Sequence, residues 1–235
     1  MNYNDLVADG QVIGKLPVSS EGGRLRNIAY ITATQAYEKP AWLKFAIVRG
    51  VGGGGGGGGA GATGGTTVAI GAGGAAGGYF EKKVAAEALA ASETVTIGAG
   101  GTGATAGTGN GSAGGTTSFG SHCSATGGAG GGGCVADANA SGIGAAGGAG
   151  TGGDTNLDGT SSWQTRAITA AAVVQGLGAP SALGAWGPPQ TANAAGDTGK
   201  NYGSGGNGGR NNASQATARA GGNGAPGIVI IEEYE

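Results

Sequence analysis

The sequence predicts a mainly β and irregular protein, in which a small β layer carries packed polyglycine II-type helices and almost no α-helix forms. Three observations predict it. Glycine supplies 60 of 235 residues, several times the usual share of about 7%. Strand-like segments stand near both ends of the chain, and tracts of Gly, Ala, Thr, Ser and Asn fill the middle. Charged residues make up only 11% and aromatics 5%, so a large conventional core cannot be built. Glycine does not fall at every third position, which excludes collagen. A formal net charge of -2 and a mean hydropathy near zero exclude a charged disordered tail.

Residues 1–24 are polar and mixed, with turn signals at Asp9-Gly10 and Glu21-Gly22-Gly23. Residues 25–51 form a β anchor. LRNIAYITA at 25–33 is β-branched and aromatic and reads as a strand. Residues 37–40 read as a turn. Residues 42–48 alternate, with Leu43, Phe45 and Ile47 expected on one face and Lys44 and Ala46 on the other. From 52 to 226 the chain is glycine-rich, beginning with eight consecutive glycines, Gly52 to Gly59. A β pair is expected near 78–98, with 78–84 partnering 94–97. Residues 85–91, between them, favour helix but are too short to hold one alone. Residues 227–235 (GIVIIEEYE) read as a buried C-terminal strand with a solvated end.

Glycine loses more backbone freedom on folding than other residues, about 0.5–1 kcal/mol relative to alanine. Ordered glycine tracts therefore need compensation. An extended helix of three residues per turn has no internal hydrogen bonds. Buried, its N–H and C=O groups must bond to neighbouring helices, and only glycine lets backbones come close on all sides. Such a lattice would hold the segments between tracts as display loops. The candidate inserts are 134–143, 157–175, 183–195 and 200–219. They contain Trp163, Arg166, Trp186, Tyr202 and Arg210, residue types that dominate binding surfaces. The competing expectation is that Trp163 and Trp186 clamp loop ends against the lattice.

Signals for other chemistry are weak. Twelve Lys and Arg against fourteen Asp and Glu leave no basic stripe, so nucleic-acid binding is not expected. The first ten residues do not read as an export signal, synthesis in a cytosol is expected, and no apolar run is long enough for membrane insertion. G-x-G-x-x-G patterns arise by chance at this glycine content, and Gly199-Lys200 lacks the residues of a phosphate loop. Asp154, Asn156 and Asp158 match the opening of a calcium loop, but the twelfth position is Thr165, and an Asx-rich turn is the stronger expectation. His122 and Cys123 are adjacent and on a strand would point to opposite faces, so they do not form a nucleophile and base. Whether Cys123 and Cys134 pair stays open. Asp137, Asp154, Asp158 and Asp197 lie in turn-like contexts and suggest no paired-carboxylate site. No cofactor and no catalytic residue is expected.

The run from Trp42 to Val51 followed by polyglycine resembles the opening of the glycine-rich domain of bacteriophage tail fibre proteins. Gly77 to Lys82 leading to Thr94–Gly101 is similar to a second element of that family. So are Gly114–Gly120 closing on 125–128, Gly152–Gly159, and Ala225–Tyr234. A looser similarity is to the polyglycine-helix adhesins of phage fibre tips. The resemblance implies a non-enzymatic receptor-binding protein in the virion. It would be a homotrimer by analogy, attached to other tail proteins through residues 1–24. Its partner would be a host-surface glycan or outer-membrane protein, contacted by Trp163, Arg166, Trp186, Tyr202 and Arg210. The alternative is a purely structural tail or baseplate component. An ice-binding or silk-like protein is disfavoured by the irregular inserts.

Overall fold

A computed structural model describes residues 3–8, 11–17, 23–169, 173–190 and 193–235. The turn expected at Asp9-Gly10 and most of that at Glu21-Gly22-Gly23 lie outside the described residues. In chain order the strands are β1 (Tyr3–Ala8), β2 (Gln11–Pro17), β3 (Leu25–Ile31), β4 (Gln35–Glu38), β5 (Phe45–Val51), β6 (Ala69–Ile70), β7 (Tyr79–Ala85), β8 (Ser92–Thr96) and β9 (Thr117–Phe119). They continue as β10 (Cys123–Ala125), β11 (Ser141–Gly142), β12 (Gly150–Thr151), β13 (Thr155–Leu157), β14 (Thr165–Ala167), β15 (Val173–Val174), β16 (Arg210–Asn211) and β17 (Ile228–Tyr234). A single 3-10 turn at Ala86–Ala88 is the only helical element among the described residues, as the short stretch 85–91 allows. The protein is therefore mainly β and irregular.

Two five-stranded antiparallel sheets form a sandwich, one ordered β13-β7-β5-β17-β3 and the other β12-β10-β9-β8-β4. Between them lie Val48, Phe80, Val84, Val229 and Ile231 from the first sheet and Tyr37, Val95, Phe119 and Cys123 from the second. Strands β1 and β2 form a two-stranded antiparallel sheet of their own.

Three sequence expectations are corrected here. First, β7 does not pair with the Thr94–Ile97 segment. It pairs with β5 and β13, while β8 pairs with β4 and β9 in the opposite sheet. Both are short alternating strands, and nothing local says which sheet each joins. Second, Tyr37 and Glu38, expected in a turn, are the end of strand β4, while the alternation expected over 42–48 holds in β5, with Phe45 and Ile47 sharing its outer face. The inward residues of β5 are Ala46, Val48 and Gly50, because the Phe80 ring from the neighbouring strand lies over Gly50 and fills the space a side chain there would take. Phe45 faces outward and stacks on Tyr234, with ring centroids 4.6 Å apart. Third, the charged end of the C-terminal strand is not wholly solvated. Glu233 is only 3% exposed and accepts a hydrogen bond from Asn27 Nδ2 at 3.0 Å.

The glycine tracts rise from this sandwich. The central one, 52–60, continues directly from β5, and its hydrogen bonds repeat every third residue. Gly52, Gly55 and Gly58 donate to Gly78, Ala75 and Ala72; Gly53, Gly56 and Gly59 donate to Gly115, Ser112 and Gly109; Gly54, Gly57 and Ala60 donate to Ala225, Gly222 and Arg219. Each series descends as the central one ascends, so these three neighbours are antiparallel. The central carbonyls accept from three parallel neighbours. Gly101 and Ala104 donate to Gly54 and Gly57; Gly128, Gly131 and Cys134 donate to Gly53, Gly56 and Gly59; Gly206 and Gly209 donate to Gly55 and Gly58. Six tracts thus surround one, in the three-residue period of an extended helix.

This geometry explains the unbroken glycine run. A methyl group on any residue from Gly52 to Gly59 would fall under 3.0 Å from a backbone carbonyl oxygen of a surrounding tract. A helix with three faces and neighbours on all of them has no position for a side chain. The tract at 71–78 needs glycine at 71, 74 and 77, where it meets the central tract, and carries alanine at 72, 75 and 76. Further tracts at 144–149, 158–162, 176–179 and 194–199 bond to this inner ring. A second apolar cluster of Val68, Ile70, Cys134, Ala140 and Ala167 closes the end of the bundle away from the sandwich. Small sheets ordered β11-β14-β15 and β16-β6 sit there.

Candidate functional site

Three segments bring large side chains together on the flank of the bundle. The tract 176–179 is bonded into the lattice: Ala179 N donates to Gly74 O at 2.9 Å and Gly205 N to Ala179 O at 2.9 Å. The Gly178 amide donates to Asn207 Oδ1, so a buried side chain stands in there for a missing backbone acceptor. On one side of this tract the chain leaves the lattice after Ser162 and presents Trp163. On the other side the segment after Gly184 presents Trp186. Trp163, Gln175, Leu177, Gly178, Ala179, Pro180 and Trp186 enclose a pocket of about 110 Å³. Trp163 is 69% and Trp186 53% exposed. Neither indole is buried as a clamp would be; both stand as walls of the pocket.

Of the five residues expected on a binding surface, these two are brought together. Arg166 lies on β14 at the far end, exposed, beside an open polar depression lined by Asn139, Ser141 and Gln164. Tyr202 lies at the opposite end, in the turn before Gly203. There its carbonyl accepts from the Ser181 hydroxyl, and Gly203 abuts Val51 at the sandwich. Arg210 is half-buried and spends its donors inside the chain, Nη1 on the Gln190 carbonyl at 2.7 Å and Nε on Asn212 Oδ1 at 3.3 Å. Burial lowers its pKa. Arg210 thus holds the segment that carries Trp186, helped by Asn207 Nδ2, which donates to the Pro188 carbonyl at 3.0 Å.

Sequence reasoning missed the aliphatic residues of the same surface. Val135, Ile143, Ile168 and Val174 are exposed at the far end. The available signal was apolar residues within inserts too short to bury them. Three inserts were drawn too long: 203–209, inside the expected loop 200–219, is a tract of the inner ring, 158–162 of the expected 157–175 is an outer tract, and 194–195 of the expected 183–195 begins another.

The other candidate chemistry is absorbed by structure. Asp154 Oδ2 accepts the Lys83 amide at 2.8 Å, and the Asn156 side chain bonds both ways with Gly153. Asn156 thus bonds local backbone from strand β13 while Asp154 caps a β7 amide, and no group of three His, Cys, Asp or Glu side chains placed to hold a metal is found among the described residues. His122 Nε2 lies 3.2 Å from Glu93 Oε1. Glu93 is held below the ordinary carboxylate range, first by the Ala90 amide and then by His122. Cys123 is buried in the sandwich, and that burial pushes its thiol up to about 12. Cys134 is buried in the far cluster, so the two free thiols belong to separate cores. No helix among the described residues is long and apolar enough to cross a membrane.

The fold and this surface define a class: a glycine-helix bundle standing on a β-sandwich, with large exposed side chains on its outer tracts and end loops and on the edge strands β3 and β13 of the sandwich. The chain belongs to the glycine-rich domain family, whose model matches residues 31–234. No curated protein matches it.

Proposed function

We propose that this chain is a bacteriophage tail fibre or receptor-binding protein that adheres to the bacterial surface without catalysis. The carrying observation is the set of large exposed side chains on the bundle, which is separate from a second exposed set, Leu25, Ile28, Tyr30 and Leu157, on the sandwich. Trp163 and Trp186 stand on the flank of the bundle, and Val135, Ile143, Ile168 and Val174 stand with Arg166 at the end remote from the sandwich. A chain with three tryptophans leaves two of them outside its cores. Exposed aromatic side chains on a rigid support favour binding, because little conformational entropy is lost when a partner arrives. The inner lattice supplies that rigidity, since its amides are paired in three directions.

In this reading the sandwich and residues 1–24 attach the chain to the rest of the tail, the protein is a homotrimer, and the far end and flank meet a host glycan or outer-membrane protein.

The test is direct. Purified full-length protein, fluorescently labelled, should bind host cells and compete with virion adsorption. Replacing Trp163 and Trp186 together with alanine should weaken both without changing thermal stability. Wild-type protein that binds no cells, yet is found in the tail of the particle, would establish the structural-component alternative instead.

A further inference from the structure

We propose that the pocket between Trp163 and Trp186 is a binding site for one uncharged pyranose ring. This deepens the adhesion reading and rests on it for the source of the sugar. Four features of the pocket select the ligand. It is small, about 110 Å³, and open to solvent beside indoles that are mostly exposed, so it holds one small flat group and not a length of chain. No ionisable side chain lines it, so a carboxylated or phosphorylated sugar would find no opposite charge there and gains nothing over a neutral one. Its walls are two indoles, whose electron-rich faces attract the weakly positive C–H bonds that a sugar ring presents on its flat side. Its floor, 177–180, cannot collapse onto the gap, because Ala179 and Gly178 are bonded to Gly74 and Asn207 of the lattice.

The second wall is built deliberately. Trp186 is followed by Gly187, Pro188 and Pro189, and this segment is tied down at three points: the Pro188 carbonyl by Asn207, the Gln190 amide by Gln175 Oε1 at 2.7 Å, and the Gln190 carbonyl by Arg210. Proline fixes φ and removes a donor, so the indole stands on a stiff strut. Arg210 and Asn207 are positioning residues for that wall and do not touch the ligand.

The experiment measures binding of neutral methyl glycosides (of glucose, galactose, mannose, N-acetylglucosamine and rhamnose) to the full chain. Tryptophan fluorescence and saturation-transfer NMR report it, with N-acetylneuraminic acid and a penta-proline peptide as controls. At least one neutral glycoside should bind with a dissociation constant on the order of millimolar. Trp163→Ala and Trp186→Ala should each weaken it about tenfold, while melting stays unchanged. Arg210→Met should weaken it less and broaden the Trp186 indole N–H resonance, the mark of a loosened wall. The inference is overturned if no neutral glycoside binds, if binding survives both tryptophan replacements, if the proline peptide binds as well as the best neutral glycoside, or if the charged sugar binds more tightly than it. Failure here separates from failure of the adhesion reading. Cell adsorption that needs the tryptophans without glycoside binding leaves adhesion standing, and glycoside binding without cell adsorption leaves the pocket standing.

Discussion

In the sandwich, Phe80 and Phe119 fill the space between two sheets, and the strands pair edge to edge. In the bundle, 52–59 has no side chains, and its amides bond outward to three neighbours in turn. The sandwich is stabilised by apolar burial, about 25 cal/mol per Å², and tolerates side chains of many shapes. The bundle is stabilised by hydrogen bonds and close backbone packing, and tolerates no side chain on the central tract. The two materials also fail differently. A sandwich residue loses stability when a side chain is removed, and a central-tract residue loses it when one is added.

The largest effect should come from Gly54→Ala. The added methyl would meet the Ser204 carbonyl, and both partners are backbone with no room to retreat. We expect a loss of at least about 5 kcal/mol, seen as failure to fold by circular dichroism. Amide exchange sharpens the same point: 53–58 should be protected to the limit set by global unfolding, and the outer tract 194–199 should exchange sooner. Phe80→Ala should come next, at about 3–5 kcal/mol in denaturant unfolding, since its ring is fully buried and covers Gly50.

A smaller effect comes from the charges on the sandwich. Glu81 is held below the ordinary carboxylate range, chiefly by its hydrogen bond to Arg49 at 2.7 Å. A carboxylate with a depressed folded pKa adds stability above its unfolded value, about 4.3, and loses it as pH falls through the folded value. Stability should therefore decrease on acidification below that pH. Arg49→Gln should flatten the decrease by about 0–1 kcal/mol, the modest size fitting a pair open to solvent. The smallest effects are at the margins of the bundle. A methyl at Gly65 meets nothing within 4 Å, so Gly65→Ala should stabilise by about 0.4–1 kcal/mol through the unfolded chain. Trp163→Ala should change stability by less than about 0.5 kcal/mol. A larger loss would mean the indole is a clamp after all.

The fold class was legible because glycine content and polyglycine runs constrain the backbone directly. Strands β3, β5 and β17 were legible because their aliphatic and aromatic residues have no other use. The partners of β7 and β8 were not, since a strand's sequence marks its own faces and not its neighbour across hundreds of possible registers. For the site, the residue types were legible and the grouping was not. Trp163 and Trp186 are 23 positions apart in sequence and meet only because the tract 176–179 runs between them. Arg210 looked like a surface residue for want of any local sign that Gln190 would lie beside it.

By itself the sequence determined that a side-chain-free element must exist, because eight successive glycines gain nothing from disorder that a polar linker would not supply. It also determined that apolar strands must anchor that element at its ends. Only the tertiary structure decided which tract is central, which tracts run parallel or antiparallel to it, and which exposed side chains share a pocket. The reason is that glycine carries no side chain by which one tract could recognise another. Backbone hydrogen bonds are the same everywhere along the chain, so their pairing is chosen by where the strands and apolar clusters at the two ends hold each tract.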